Sequence, residues 1–118
     1  MKLITTVVIG IPAYNEASNI SSLLLSLLAQ DTLNYKLESI IVASDGSTDN
    51  TIELVQALNN RNIQMIDNNT RSGQAYVQNQ IIRRVKSDVL ILLNADIKIE
   101  DKNFISKLIT PIIKKKSD

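Results

Sequence analysis

The stretch that decides the fold is Thr6-Val7-Val8-Ile9-Gly10-Ile11, which leads directly into the polar segment Pro12-Ala13-Tyr14-Asn15-Glu16. Its nearly unbroken Val and Ile content is typical of a strand covered on both faces, as in a parallel sheet. Three other runs share this character, so we predict strands over residues 6–11, 39–43, 63–67 and 88–93. Helical spacing of apolar side chains predicts helices over about 16–30, 49–59, 73–86 and from residue 101 onward. We expect Asp101 to cap the last helix and Pro111 to end or kink it.

The alternation of strands and helices predicts an α/β fold, a Rossmann-like three-layer α/β/α arrangement with a mainly parallel sheet. The chain has 118 residues, and we expect residues 1–118 to form a single domain. The first apolar run is interrupted at Pro12, so it is too short for a signal peptide or a membrane-spanning helix. We therefore expect no membrane span in this chain.

The composition limits the chemistry that the chain can perform. It contains 13 Lys and Arg against 12 Asp and Glu, with no His and no Cys. These absences exclude the usual zinc sites, Ser-His-Asp and Cys-His nucleophiles, and disulfides. A formal net charge of +1 gives no field that would favour nucleic acid, so we expect no nucleic-acid partner. Carboxylates, hydroxyls, amides, basic groups or a metal ion bound through oxygen remain.

Polar segments follow all the predicted strands, at residues 12–16, 44–50, 68–73 and 94–96. Because open parallel sheets bind ligands beyond the carboxyl ends of their strands, we expect these segments to meet at one rim. Acids, amides and one Arg there suit an oxygen-rich ligand with a divalent metal. Ordinary structural roles compete with this interpretation: helix capping by Asn15 and Asp49, a turn at Asp45-Gly46, and a tight loop at Gly73. The phosphate-binding patterns G-x-x-x-x-G-K-[ST] and G-x-G-x-x-G are absent.

Two of these segments resemble a known family. Ile11-Pro12-Ala13-Tyr14-Asn15-Glu16 and Ile41-Val42-Ala43-Ser44-Asp45-Gly46-Ser47-Thr48-Asp49-Asn50-Thr51, in this order and spacing, resemble the inverting family 2 glycosyltransferases. Arg71-x-Gly73 and Asn94-Ala95-Asp96 fit the same family, so the resemblance covers about residues 6–105. It implies a GT-A fold, a nucleotide-diphosphate-sugar donor, with a UDP-sugar favoured, and usually Mn²⁺ or Mg²⁺. It also implies an enzyme that transfers a hexosyl or related sugar, with inversion, to a saccharide, lipid-linked or other hydroxyl acceptor.

The resemblance implies roles for the residues of the first two segments. Pro12, Ala13 and Tyr14 would line the nucleotide pocket. Glu16 would lie near the uridine or the ribose. Asp45 matches the second acid of the family's D-D-G-S pattern and would accept a hydrogen bond from the base.

The two later segments would complete the donor site. Arg71 and Gly73 match a segment that approaches the base and the phosphates. Asp96 matches the last acid of the D-x-D motif and would hold the metal that bridges the diphosphate. Two substitutions depart from the family, because Ser44 and Asn94 stand where acids are common. Asn94 can still accept a bond from a ribose hydroxyl but lacks charge, so we expect a weaker or more selective metal site.

The family's general base lies well beyond the D-x-D motif, in the acceptor-binding half. This chain ends about twenty residues after Asp96, and the carboxylates of Glu100, Asp101 and Asp118 lack the family context. We therefore expect the catalytic base to be absent and the GT-A domain to be incomplete at its C-terminus. The chain alone would hold the donor site and could be inactive.

Two other functions compete with a transferase. Ser44, Asn94 and the missing base also suit a non-catalytic module that binds a nucleotide or nucleotide-sugar. A flavodoxin-like interaction domain is the other alternative, and the two specific motifs count against it. We expect a cytoplasmic location, with membrane attachment through other parts of a longer protein left open. An exposed sheet edge would allow self-association.

Overall fold

A computed structural model describes residues 4–117. The strands within this range are β1 (Thr5–Ala13), β2 (Tyr35–Asp45), β3 (Ile63–Asn68) and β4 (Val89–Leu92). The helices are α1 (Ile20–Leu28), α2 (Thr51–Ala57), α3 (Gln74–Arg84) and α4 (Phe104–Ser117). Every predicted strand and helix is present, in the predicted order.

The sheet has the strand order β3-β2-β1-β4, and every neighbouring pair is parallel. Strand β1 lies in the interior, with β2 on one side and β4 on the other. These contacts confirm the predicted α/β fold with its mainly parallel sheet. Because all the strands point the same way, the loops after β1, β2, β3 and β4 leave the sheet at one rim.

The two faces of the sheet are covered by different helices. Val7, Ile9 and Ile11 of β1 are fully buried in one cluster with side chains of α1 and α4. Val8 belongs to a second cluster with Val77 of α3 and other buried side chains. Successive residues of a strand point to opposite faces, which explains why β1 contributes to both clusters and is apolar throughout.

Gly10 allows α3 to approach the sheet closely. A Cβ atom at Gly10 would lie 2.6 Å from Cγ2 of Ile81 and 3.0 Å from Cδ2 of Leu92. Any larger residue would push the helix away from β1. Since α3 begins at the rim of the sheet, this contact also helps to position the first turn of α3 at that rim.

Strand β2 begins four residues earlier than predicted, at Tyr35 rather than 39. Its first residues alternate between buried and exposed, so they lack the continuous apolar character on which the prediction relied. Helix α1 begins later than predicted, at Ile20 rather than 16: Asn15 has a left-handed backbone (φ 51°), and it is followed by a turn in which the Asn19 N–H donates to the Glu16 carbonyl.

The start and end of α4 differ from the prediction. Helix α4 begins at Phe104, and Asp101 closes the preceding turn by accepting a hydrogen bond from the Asn103 N–H. Pro111 does not end the helix, because α4 continues through it to Ser117; the other expected outcome, a kink at Pro111, stays a prediction. Pro111 is exposed, so water can reach the carbonyl group that loses its helical donor.

Candidate functional site

A polar cleft of about 360 Å³ lies at the rim where the strands end. Residues from the segments after all four strands, or from the start of α3, line it: Pro12, Ala13, Tyr14, Glu16, Asp45, Arg71, Gln74, Val77, Asn94, Ala95 and Asp96. The fold therefore gathers eight of the nine residues proposed for the donor and metal sites, with Gly73 as the exception.

Asp45 anchors the loop that follows β3. Its side chain is nearly buried, at 4% exposure. Oδ1 accepts the N–H groups of Ser72 at 2.6 Å and Gly73 at 3.2 Å, and Oδ2 accepts the Gly73 N–H at 3.0 Å. One carboxylate thus binds two successive amides of a neighbouring loop, and Oδ2 keeps further acceptor capacity on the cleft side.

Gly73 contributes its backbone rather than lining the cleft. Its N–H donates to Asp45, and its φ of 104° belongs to a region that side chains rarely adopt. The structural interpretation of Gly73 as a loop residue is therefore confirmed. The Asp45-Gly46 turn is also present: Gly46 has a φ of 71°, and a Cβ there would lie 2.7 Å from the backbone nitrogen of Arg71.

Arg71 connects two walls of the cleft. Its guanidinium carbon lies 3.8 Å from the centroid of the Tyr14 ring, within cation–π range. Its Nε lies 3.9 Å from Oδ2 of Asp45, which is a long ion pair. The Arg71 side chain is 63% exposed, so it covers the Tyr14 ring from the solvent side and keeps donors free for a ligand.

The loops after β1 and β2 are joined by Asn15. Its Oδ1 accepts the N–H groups of Thr48 at 2.7 Å and Asp49 at 3.2 Å, and its Nδ2 donates to the Thr48 hydroxyl at 3.2 Å. Its own N–H donates to the Ser47 hydroxyl at 3.1 Å. The prediction that Asn15 caps α1 is wrong, because α1 begins at Ile20 with Asn19 in the cap position.

Asp49 strengthens the same junction. Its Oδ2 accepts the Ala17 N–H at 3.2 Å, while Oδ1 accepts the Thr51 N–H at 3.0 Å and the Thr51 hydroxyl. The Thr51 hydroxyl first, then these amides, hold the pKa of Asp49 below its ordinary value. Asp49 accordingly acts as a cap at the start of α2, although Asn50 occupies the formal cap position.

Ser44 is fully buried and faces its own loop rather than the cleft. Its hydroxyl donates to the Ser47 hydroxyl at 2.8 Å and accepts the Ser47 N–H at 3.2 Å. The serine that replaces a common acid of the family therefore stabilises the turn. Glu16 does line the cleft; one of its carboxylate oxygens accepts a bond from the Asn19 amide at 3.2 Å.

Asn94 and Asp96 reach the cleft from the segment after β4. Both are exposed, whereas Ala95 between them is buried, in a turn that the Ile97 N–H closes by donating to the Asn94 carbonyl at 3.4 Å. Over residues 4–117, no group of three or more acidic side chains is placed to hold a metal ion. Asp96 alone therefore suits Mg²⁺ or Mn²⁺ only if a ligand's phosphates and water supply the other oxygen atoms, an arrangement that Mg²⁺ often uses.

Gln74 and Val77 line the cleft but were not predicted. They lie one helical turn apart on the same face of α3, and α3 begins directly after the loop held by Asp45. The i, i+3 spacing from a helix start at the rim is the pattern that could have identified them. Gln74 brings both a donor and an acceptor to the cleft, and Val77 brings an apolar wall.

Comparison with known families now decides the classification. The sequence profile described as Glycosyl transferase family 2 matches residues 8–118. The chain belongs to this family.

Among curated family relatives, the poly-beta-1,6-N-acetyl-D-glucosamine synthase of Staphylococcus aureus (strain COL) is 36% identical over 84 residues, which is 70% of this chain and 20% of that protein. The Staphylococcus epidermidis synthase of the same name is 32% identical over 89 residues, covering 75% and 21%. The chain thus spans about a fifth of these relatives.

Solved structures place this family member in the GT-A fold. Staphylococcus aureus TarS (residues 1–349) in complex with UDP-GlcNAc superposes with a TM-score of 0.80 at 24% identity, over 92% of this chain and 31% of that one. The mannosyltransferase PcManGT from Pyrobaculum calidifontis, in complex with GDP-Man and Mn²⁺, gives a TM-score of 0.77 at 24% identity, over 87% and 31%. Within the described part of the chain, no helix has the length and apolarity needed to span a membrane.

Proposed function

We propose that the chain is the donor-binding part of a glycosyltransferase that transfers a sugar from a nucleoside-diphosphate sugar to an acceptor hydroxyl, with inversion at the anomeric carbon. The observation that carries the proposal is the meeting of Asp45, Arg71 and Asp96 in one cleft, from the ends of three different strands. These are an acceptor for a base, a cation for phosphates and a carboxylate for a metal. The UDP-GlcNAc complex of TarS and the names of the synthase relatives make UDP-GlcNAc the first donor to test.

The base would be held by the walls nearest to Tyr14. Oδ2 of Asp45 would accept the imide N–H of uracil, since Asp45 lines the cleft and the bond from the Gly73 N–H leaves Oδ2 with further acceptor capacity. Pro12, Ala13 and the Tyr14 ring would pack against the base and ribose, and Glu16 would accept from the nucleoside. The loop that contains Ser72 and Gly73 would stay fixed when a ligand binds, because the amides of both residues are already bonded to the Asp45 carboxylate.

The diphosphate would lie between the opposite walls of the cleft. Arg71 would donate to its oxygens, and Asn94 would accept from a ribose hydroxyl. Asp96 would hold Mn²⁺ or Mg²⁺, in line with the Mn²⁺ present in the PcManGT complex. When bound, the ion offsets the charge that develops on the leaving diphosphate. We assign no general base among residues 4–117: the Asp101 carboxylate, for example, is bound to Lys107 at 2.6 Å.

A calorimetric titration tests the proposal. UDP, GDP and their sugars are titrated into the chain with and without Mn²⁺. We expect UDP to bind, and Mn²⁺ to strengthen binding about tenfold or more through Asp96, whereas Mn²⁺ alone should not bind measurably because the protein supplies one carboxylate. Asp96→Ala should remove the Mn²⁺ effect, and Glu100→Ala, an exposed acid nearby in sequence, should preserve it. Absence of nucleotide binding by the unaltered chain would refute the proposal.

A non-catalytic nucleotide-binding module is the second candidate. The burial of Ser44 inside its own loop and the neutral Asn94 favour it, because the cleft then presents fewer charges to a metal than the family pattern implies. The two candidates differ in turnover. Release of free sugar or its transfer from UDP-GlcNAc by the chain supports the enzyme. Tight binding without either suits the module, and it suits equally a donor-binding part whose general base lies outside residues 4–117.

A further inference from the structure

Asn15 occupies an unusual backbone conformation beside the cleft without lining it. Among residues 4–117, only Asn15 (φ 51°) and Asn59 (φ 47°) are non-glycine residues with positive φ. Asn tolerates this region better than most residues, but the conformation still carries a cost that other contacts must offset. Asn15 makes such contacts through its side chain, whereas within residues 4–117 the side chain of Asn59 makes no hydrogen bond.

The contacts of Asn15 bridge two loops that are distant in sequence. Its five bonds reach residues 32 to 34 positions further along the chain, all in the loop between β2 and α2. Two of them satisfy N–H groups of Thr48 and Asp49 at the exposed turn before α2. The side chain therefore fixes the distance and the angle between the first two polar segments of the cleft.

The residue that this bridge affects most directly is Tyr14. Tyr14 is the neighbour of Asn15, and its ring forms the wall over which Arg71 lies. The Asn15 bridge holds the backbone next to Tyr14, and Arg71 lies over the Tyr14 ring, so both limit where the ring can lie. Such preorganisation strengthens ligand binding because the loop need not be ordered when the ligand arrives.

We infer that Asn15 is a positioning residue of the donor site: it holds Tyr14 in the ligand-ready place through its bonds to Thr48 and Asp49, without touching the ligand. The part of this inference that concerns ligands rests on the proposed function. The part that concerns Tyr14 and Arg71 does not, and it can be tested in the free protein.

The substitution Asn15→Gly separates the side-chain bonds from backbone strain, because glycine adopts positive φ readily. Asn59→Gly is the matched control: it makes the same chemical change, at the same kind of backbone, beside a groove remote from the cleft. Thermal unfolding of both variants checks that each of them still folds.

The first measurement is the NMR shift of the Arg71 side-chain protons in the free chain. A guanidinium 3.8 Å above a tyrosine ring experiences a ring-current shift. We expect the stack of Arg71 on Tyr14 to loosen in Asn15→Gly, so that the ring-current shift of the Arg71 protons shrinks by about half or more. The same shift should persist in Asn59→Gly. An unchanged Arg71 shift in a folded Asn15→Gly chain would overturn the inference, whatever the nucleotide results.

The second measurement is the affinity for UDP. We expect Kd to rise about tenfold in Asn15→Gly, since two or more hydrogen bonds that order the loop are lost, and less than about twofold in Asn59→Gly. Equal affinities in the two variants contradict the positioning role. If the unaltered chain binds no UDP, the proposed function fails, and the Arg71 shift still decides the role of Asn15.

Discussion

The guanidinium carbon of Arg71 lies 3.8 Å from the centroid of the Tyr14 ring, although the two residues belong to loops after different strands. The Nε of the same guanidinium lies 3.9 Å from Oδ2 of Asp45, the last residue of β2. One exposed, charged side chain therefore lies against both of the walls between which the base is proposed to lie. It can only do so because β1, β2 and β3 end at one rim.

Arg71→Ala should weaken UDP binding much more than it weakens the fold. The stack on Tyr14 is exposed, so its loss should cost about 0.5–1 kcal/mol of stability. Charged hydrogen bonds to a diphosphate are worth about 1.5–3 kcal/mol, so Kd should rise about tenfold or more. Calorimetry and urea unfolding measure the two effects. Arg61→Ala, an exposed arginine beside a groove remote from the cleft, should change neither, and a normal UDP affinity in Arg71→Ala would argue against the phosphate role.

Asp45→Asn should destabilise the protein even without a ligand. The amide oxygen can keep the Ser72 N–H and the longer bond, 3.2 Å, from the Gly73 N–H, but the buried NH₂ group is a donor that then faces the Gly73 N–H in place of the acceptor Oδ2. An unsatisfied buried donor costs about 1–3 kcal/mol, which urea unfolding measures directly. Asp67→Asn, at an exposed position of β3, should leave the stability unchanged. A fully stable Asp45→Asn chain would mean that the loop does not depend on the carboxylate.

Gly46→Ala should destabilise the protein by about 2–4 kcal/mol, because it combines left-handed strain with a clash. Its Cβ would meet the backbone of Thr70 and Arg71 at 2.7 Å, and backbone atoms cannot rotate away. Gly73→Ala is the comparison: its φ is also positive, but its Cβ would enter open space. Gly73→Ala should therefore cost only strain, about 1–3 kcal/mol. Denaturant unfolding of the two variants side by side gives the difference, and a harmless Gly46→Ala would show that the loops can separate freely.

Asp49→Asn should lower the unfolding temperature near neutral pH, and the deficit should fade in acid. Hydrogen bonds from Thr51 and Ala17 lower the folded pKa of Asp49, so the unfolded chain takes up its proton first as the pH falls. The stabilisation is thus complete above the ordinary aspartate pKa of about 3.9 and is lost as the pH falls through the lower folded value. Melting curves at several pH values test this. Glu53→Gln, which removes a charge from the first turn of the same helix, serves as the control.

Much of the fold and of the cleft could be predicted because both depend on short-range patterns. Continuous Val and Ile runs identify strands buried on both faces, and the parallel arrangement brings their carboxyl ends together. For this reason Asp45 and Asp96, on loops after β2 and β4, could be expected at one rim, and the structure places both on the cleft.

The internal hydrogen bonds of the cleft could not be predicted, because they join loops far apart in sequence. Nothing local distinguishes an Asp45 that faces a ligand from one that binds the Ser72 and Gly73 amides. The left-handed conformation of Asn15 is likewise set by its partners in another loop. Whether Pro111 ends α4 or lies within it could not be predicted for a related reason, since the surroundings of Pro111 depend on how the helix packs.

The position of β1 has a consequence for the order in which the protein folds. Of the four strands in residues 4–117, β1 is synthesised before the others and its neighbour β4 after them, and the Thr6–Asp88 bonds at that junction join residues 82 apart. The nascent chain can pair β1 with β2 and β3 early, but one edge of its most apolar strand stays open until residues 89–92 emerge. Closing such a distant contact is slow, and an open apolar edge is a site for association with other chains. A polypeptide interrupted before Val89 should therefore aggregate rather than form a smaller stable sheet.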